Sequence, residues 1–429
     1  MNNAINFSAS FRDLNLDEFD TTTALAHAAE QAVVRRYEDF MIVDVDSHHY
    51  ETEAFTEIAD YIDDPVFKHE AKFQGFGRPG MNQGHGAFQE IAGRIVRYPL
   101  RRKEKTPPEP HRDITLMRRW MDSMGVDVAC MFPTPMLSLA AVPREEIETK
   151  LAWAYNRWLC DNILDEDKRL KSMLYLPFHD GAECLKMVEA LGDRPGVIGF
   201  MVTAAHHSKV QSNAYVKTYA ALQERGLPLA FHSGLGNNPS LELVNRFMGV
   251  HALGFAWHNM VQMTNWLLNG LPERFPGLKT IWIESGLAWV PFLMQRLDNE
   301  WMMRPPDAPL LKRKPSDYMR EMYYSSQPME MVDNLEALQL TFKMINAETQ
   351  LLYSSDYPHW DMDLPSTIYD LPFLDQQAKR NILGENARQL FNLDPVLSPV
   401  KRQRKAARAG EPVTMNINKV YDIASTPAE

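Results

Sequence analysis

The sequence predicts an α/β fold closed into a β/α barrel, on three observations. Short apolar runs alternate with amphipathic helical stretches seven or eight times along the chain, the pattern of βα units around a parallel sheet. Two of the runs, Met41-Ile42-Val43 and Leu351-Leu352-Tyr353, lead straight into Asp46-Ser47-His48 and Ser355-Asp356-Tyr357-Pro358-His359. Barrel active sites are built at strand C-terminal ends, and closure brings the first and last strands side by side there. Finally, 429 residues at 45% hydrophobic and 24% charged are enough for one large core.

Strands are expected at 42–45, 126–132, 172–176, 197–202, 229–232, 280–283, 322–325 and 351–354. Each is a short continuous apolar run, as parallel strands buried on both faces require. Helical periodicity falls between them at 114–124, 146–165, 182–191, 213–225, 289–302 and 330–345. A count near eight favours a closed barrel over an open sheet. The barrel spans 41–395, after an N-terminal extension (1–40) and before a C-terminal tail (396–429). Residues from about 63 to 110, rich in Gly, Pro and charge, read as a long insertion after the first strand that covers the site or makes a subunit contact. The tail run Lys401-Arg402-Gln403-Arg404-Lys405 reads as a solvated or subunit-embracing extension.

A formal charge of −11 leaves no electrostatic footprint for nucleic acid. No apolar stretch reaches the roughly 18 residues a membrane span needs. The N-terminus lacks the basic start and apolar segment of an export signal. Three scattered cysteines, Cys130, Cys160 and Cys184, read as reduced thiols of a cytoplasmic protein. The long termini and nine tryptophans point to a homo- or hetero-oligomer, and the partner the site implies is a small-molecule substrate.

Asp46 and His48 lie two apart on a strand, so both face the same way and can share one ion. Glu51 adds a carboxylate within reach of the same mouth. His232 ends the run 229–232 and offers an imidazole, a common metal ligand. Glu284 and Asp356 end 280–283 and 351–354, and a carboxylate there must meet a metal, a cation or a proton. Weaker expectations for substrate contact fall on His179, His206, His359 and Arg112. His49 is expected on the opposite side of the first strand or in the loop, and His251 and His258 on one face of a helical segment.

Taken in order, Asp46-Ser47-His48 with Glu51, Phe231-His232-Ser233-Gly234, Phe275-Pro276-Gly277, Glu284-Ser285-Gly286 with Trp289-Val290-Pro291, and Ser355-Asp356-Tyr357-Pro358-His359 are similar to the amidohydrolase-related family of the metal-dependent hydrolase superfamily. The resemblance runs from about residue 42 to 393. It implies a distorted TIM (β/α)8 barrel with one or two divalent ions, zinc, manganese or iron, at its C-terminal face. It maps the metal ligands onto Asp46, His48, His232 and Asp356; the chain's own carboxylates Glu284 and Glu51 read as further ligands beside them, and Asp356, Glu284 and His232 as the catalytic groups. Decarboxylase-type relatives usually carry His where this chain has Glu284, and many have His-x-His at its Asp46-x-His48. Carboxylate in place of imidazole favours harder ions over zinc. The function implied is hydrolysis or decarboxylation of a small carboxylate-bearing molecule. The alternatives are a dinuclear iron or manganese oxygenase on the same barrel and a non-catalytic partner subunit.

Overall fold

The computed structural model describes residues 21–74, 106–142, 144–204, 209–234, 241, 243–330, 334–359 and 361–410. Eight strands follow one another around the sheet: β1 (Val43–His49), β2 (Val128–Pro133), β3 (Leu170–Tyr175), β4 (Val197–Thr203), β5 (Leu229–His232), β6 (Thr280–Ile283), β7 (Tyr323–Ser325) and β8 (Leu351–Leu352). Each pairs in parallel with its sequence neighbour, because every connection passes through helical segments packed outside. Every residue of β2, β4, β5 and β6 is buried, which is why they read as unbroken apolar runs. The two motif segments close the ring: Val45 N–H donates to Tyr353 O at 3.0 Å, Asp356 N–H to Asp46 O at 2.8 Å, and His48 N–H to Tyr357 O at 2.6 Å. Closure and site assembly are therefore one event.

The principal outer helices are α1 (Thr21–Val34), α2 (Arg112–Met124), α3 (Glu145–Leu159), α4 (Gly181–Leu191), α5 (Val216–Arg225), α6 (Phe247–Leu268), α7 (Trp289–Met303), α8 (Leu335–Met344) and α9 (Pro399–Arg408). α4 starts where the Asp180 side chain accepts the Ala182 and Glu183 N–H groups, and α5 stops at Gly226, whose φ of 66° suits a residue without a Cβ. The helix expected at 330–345 begins only at Leu335. Glu330 instead accepts the N–H groups of Leu287 (3.0 Å) and Ala288 (3.0 Å) at the start of α7, satisfying donors that a helix leaves orphaned. α3 runs on through a π-helical turn, Cys160–Leu164, as the expected span to 165 requires. Of the insertion at 63–110, Pro65–Gln74 is helical, and 75–105 lie outside the described residues. Among the described residues no helix is long and apolar enough to cross a membrane. Cys130, Cys160 and Cys184 are free and buried.

The basic run at 401–405 is not simply solvated. Lys401 is fully buried, and its ammonium donates to Phe40 O (2.6 Å), Gly125 O (3.1 Å) and Asp127 Oδ2 (2.5 Å). Arg408 pairs with Glu38 at 2.7 Å and Asp39 at 2.5 Å. Both contacts fix α9 against the ends of the barrel where strands begin, opposite the motif residues. Replacing Lys401 with Met leaves the Asp127 carboxylate buried without its cation, which costs about 3–5 kcal/mol. Urea denaturation of the variant should show that loss, and an unchanged midpoint would mean the pair contributes nothing.

Candidate metal centre

Asp46 and His48 project from one face of β1, His232 from the tip of β5, and Asp356 from the segment after β8. All four are fully buried. His48 Nε2 lies 3.2 Å from Asp46 Oδ1 and 3.3 Å from Asp356 Oδ1, and His232 Nε2 lies 3.3 Å from the same Asp46 oxygen. Two overlapping groups, Asp46/His48/His232 and His48/Asp356/His359, each bring ligand atoms within 4.8 Å of one another. The rings of His48 and His232 stand nearly perpendicular (86°, centroids 5.1 Å apart).

The hydrogen bonds behind the rings set their tautomers. His48 Nδ1 faces Pro133 O at 2.8 Å, and His232 Nδ1 faces Ser233 O at 2.8 Å. A carbonyl only accepts, so both Nδ1 atoms carry hydrogen, and in the neutral rings each Nε2 presents a lone pair to the carboxylates. Lone pairs facing lone pairs repel unless a proton or a cation lies between. Asp46 Oδ2 and Asp356 Oδ2 are also buried with no hydrogen-bond partner among the described residues, an expensive arrangement in a dry interior. Two carboxylates and two imidazoles arranged in this way fit a divalent manganese, iron or zinc ion.

The charges of the groups respond to one another. Burial alone would raise the Asp46 pKa, but the neighbouring His232 and His48 outweigh it and hold the carboxyl well below its ordinary range. Burial, and then the charge of His359, lower His48. His232 is raised, because Asp46 overcomes its desolvation. Burial pushes Asp356 well above the usual carboxylate range against the pull of His48, and Asp46 adds to the rise. Asp356 and Glu284 both sit at φ 57°, a left-handed conformation that costs a non-glycine residue on the order of 1–3 kcal/mol and tends to collect at functional sites.

Several expected residues lie elsewhere. Glu284 approaches His232 from its Nδ1 side (Oε2 at 3.4 Å), away from the Asp46 oxygen, and is in neither ligand group. Glu51 is turned aside because the chain coils into a 3-10 turn, Glu51–Ala54, directly after β1. Its oxygens accept the Thr134 N–H (2.9 Å) and the Met136 N–H (2.6 Å), and burial raises it to about 8 against those bonds. Arg112 pairs with Glu53 at 3.1 Å and Asp113 at 3.4 Å. His49 lies on the other side of β1, between Asp113 Oδ2 (2.7 Å) and Tyr155 OH (2.8 Å). His359 does reach the centre, its Nδ1 2.7 Å from Asp356 Oδ1 and its ring stacked 4.3 Å from His48. His251, on α6, lies 3.6 Å from Asp361. His206 lies outside the described residues.

His179 is bound by Glu148, which also accepts the Tyr175 hydroxyl at 2.7 Å. The bond to Glu148 raises the His179 pKa. A raised folded-state pKa gives stability that is complete below about 6.5, the unfolded value, and is lost as pH climbs through the folded value. Glu148→Gln should therefore cost more stability at pH 6 than at pH 9. Equal losses in denaturant titrations at the two pH values would contradict the pairing.

One residue was missed: Asp44, two positions before Asp46 on β1. Its Oδ1 accepts the Ser355 N–H (2.9 Å) and the Asp46 N–H (3.2 Å), and its Oδ2 accepts the Ser355 hydroxyl (2.5 Å). It ties both ligand-bearing segments together. The alternation Asp44-x-Asp46-x-His48 was the available signal.

An eight-stranded parallel barrel with carboxylates and imidazoles converging at its strand C-terminal ends is the architecture of the metal-dependent barrel enzymes. Within that class the amidohydrolase family model matches residues 45–393, and the chain belongs to the amidohydrolase family. It is 22% identical over 310 residues to gamma-resorcylate decarboxylase of Rhodococcus jostii, covering 65% of this chain and 90% of that protein. The fold is similar to 5-carboxyvanillate decarboxylase from Sphingomonas paucimobilis, with a TM-score of 0.60 and 19% identity over 83% of this chain and 100% of that one. It is also similar to dihydroxybenzoic acid decarboxylase from a Polaromonas species with bound manganese and 2-nitroresorcinol, with a TM-score of 0.56 and 18% identity over 82% of this chain and 97% of that one.

Proposed function

We propose that this chain is a metal-dependent decarboxylase of a small aromatic carboxylic acid, with one manganese, zinc or iron ion held by Asp46, His48, His232 and Asp356. The observation that carries the reading is the convergence of these four buried side chains, with Asp46 Oδ2 and Asp356 Oδ2 unpartnered among the described residues. The decarboxylases among its relatives support the reaction class, and the manganese of the Polaromonas enzyme supports the ion. The bound ion supplies a Lewis acid that anchors and polarises an oxygen-bearing substrate.

The chain's own residues do the rest. Loss of carbon dioxide breaks the bond between carboxyl and ring, leaves its electron pair on the ring carbon, and requires one proton there. Asp356, one of the four convergent side chains, is the group that delivers this proton, and His359 orients its carboxyl through the 2.7 Å contact. Glu284 steadies the His232 ring from the Nδ1 side. A dinuclear oxygenase would draw on Glu51 as an additional ligand, and both of its oxygens are already committed to backbone N–H groups.

The test is incubation in deuterium oxide with a panel of hydroxylated benzoic acids, alongside esters and amides. One deuteron at the carbon that carried the carboxyl, with matching carbon dioxide release, is the expected result. Ester or amide cleavage without carbon dioxide, or oxygen uptake, would overturn the reading.

A further inference from the structure

Strand β2 runs out against the imidazoles of His232, His48 and His359. The Phe132 and His232 rings meet edge to face with centroids 4.8 Å apart, Pro133 O accepts from His48 Nδ1 at 2.8 Å, and Thr134 Oγ1 lies 3.3 Å from His359 Nε2. Three consecutive residues thus touch three rings that come from β5, β1 and the segment after β8. A backbone so placed has to be held, because a shift in it disturbs every ring at once.

Glu51 does the holding. After β2 the chain turns into a 3-10 segment, Pro135–Ala141, and the N–H groups at the entry of such a turn lack an acceptor inside it. Those of Thr134 and Met136 donate to the Glu51 carboxylate at 2.9 and 2.6 Å. Glu51 is fully buried, so neither side of this clamp moves without stranding the other in a dry interior. The Thr134 side chain makes no capping bond to the 3-10 segment. Its hydroxyl is turned to His359 instead, and the β-branch restricts the rotation that would carry it away.

We propose that Thr134 is a positioning residue for His359, kept in place by Glu51, so that Glu51 serves the centre through the β2 exit and not as a ligand. The inference rests on the reading of Asp356 as metal ligand and proton donor. A carboxylate ligand only accepts, so His359 Nδ1 carries the hydrogen and Nε2 offers a lone pair, to which the Thr134 hydroxyl donates. With Asp356 Oδ1 2.7 Å from one nitrogen, Thr134 at the other and the His48 ring stacked 4.3 Å away, the ring has one tautomer and one orientation, and it imposes them on the Asp356 carboxyl. At 3.3 Å the Thr134 contact is a long one, and a small displacement ends it. The two bonds to Glu51 prevent that displacement.

The experiment compares Thr134→Val, Thr134→Ser and Glu51→Gln with the wild type, all as zinc-loaded full-length protein. Valine keeps the shape and the branch and deletes only the hydroxyl, which serine restores. Expected for Thr134→Val is a fall in kcat of about 10–100-fold, with KM, zinc content and melting temperature unchanged, and recovery in Thr134→Ser. In imidazole nitrogen NMR spectra, with the His359 signals assigned by their absence in His359→Asn, the separated Nδ1 and Nε2 resonances should draw together in Thr134→Val as the tautomer ceases to be fixed, and part again in Thr134→Ser. Glu51→Gln sets an amide N–H against a backbone N–H. It should give the same spectral change and also weaken zinc binding, because Pro133 O orients His48. Wild-type kcat or unmoved His359 resonances in Thr134→Val overturns the proposal, and so does a loss that serine fails to restore. If Glu51→Gln does not fold, the two Thr134 variants decide alone. A wild type that decarboxylates none of the acids overturns the proposed reaction, and the His359 resonances then decide the positioning role by themselves.

Discussion

Replacing Asp356 with Asn is expected to lower turnover by about a thousandfold or more and to remove most of the metal affinity, with the fold intact. Asn has the same shape and is among the few residues that adopt the left-handed backbone Asp356 occupies at φ 57°. Ala would confound lost chemistry with added strain. The amide oxygen can still accept from His359 Nδ1, which lies 2.7 Å from the carboxylate. What disappears is the negative charge that serves as a ligand and the acid that holds a proton. Steady-state kinetics, equilibrium metal binding and thermal melting separate these effects. Near wild-type turnover in the variant would remove Asp356 from the mechanism.

Asp44→Ala is expected to have the second largest effect, acting on stability and metal affinity together. Burial pushes Asp44 up to about 7 against the bonds from Ser355, with Asp46 adding to the rise. Its removal leaves the Ser355 N–H, the Ser355 hydroxyl and the Asp46 N–H without their acceptor. Each buried group left unpaired costs about 1–3 kcal/mol, so a total above about 3 kcal/mol follows. Because Ser355 adjoins Asp356, the ligand set loosens as well, and outer supports of this kind typically govern about 10–100-fold in metal affinity. Asp44→Asn keeps an acceptor and should lose less of both. An Asp44→Ala protein as stable and as tight for metal as the wild type would mean that these bonds hold nothing together.

Most of the barrel was legible in the sequence because parallel strands buried on both faces leave unbroken apolar runs. The runs at 229–232 and 280–283 coincide with β5 and β6. Residues at the strand tips were legible for the same reason, since a polar side chain ending such a run stands out. Glu51 misled because proximity in sequence said nothing of the 3-10 turn that carries it toward Thr134 and Met136. Asp44 was overlooked because its role depends on Ser355, 311 positions away. Of α6 only a helical segment through His251 and His258 was legible and not its bounds, because no Asp, Glu, Lys or Arg marks a polar face along its 22 residues. Glu51 and Asp44 share one cause: the deciding contact lies in another segment.

The central claim is that Asp46, His48, His232 and Asp356 hold one divalent ion. Its most direct test is metal content per chain by plasma mass spectrometry, for wild type and for His232→Ala, each purified without added metal and again after reconstitution. About one manganese, zinc or iron ion per wild-type chain, with little or none in the variant, is the predicted result. No uptake by the wild type after reconstitution, or equal metal in both proteins, would contradict it.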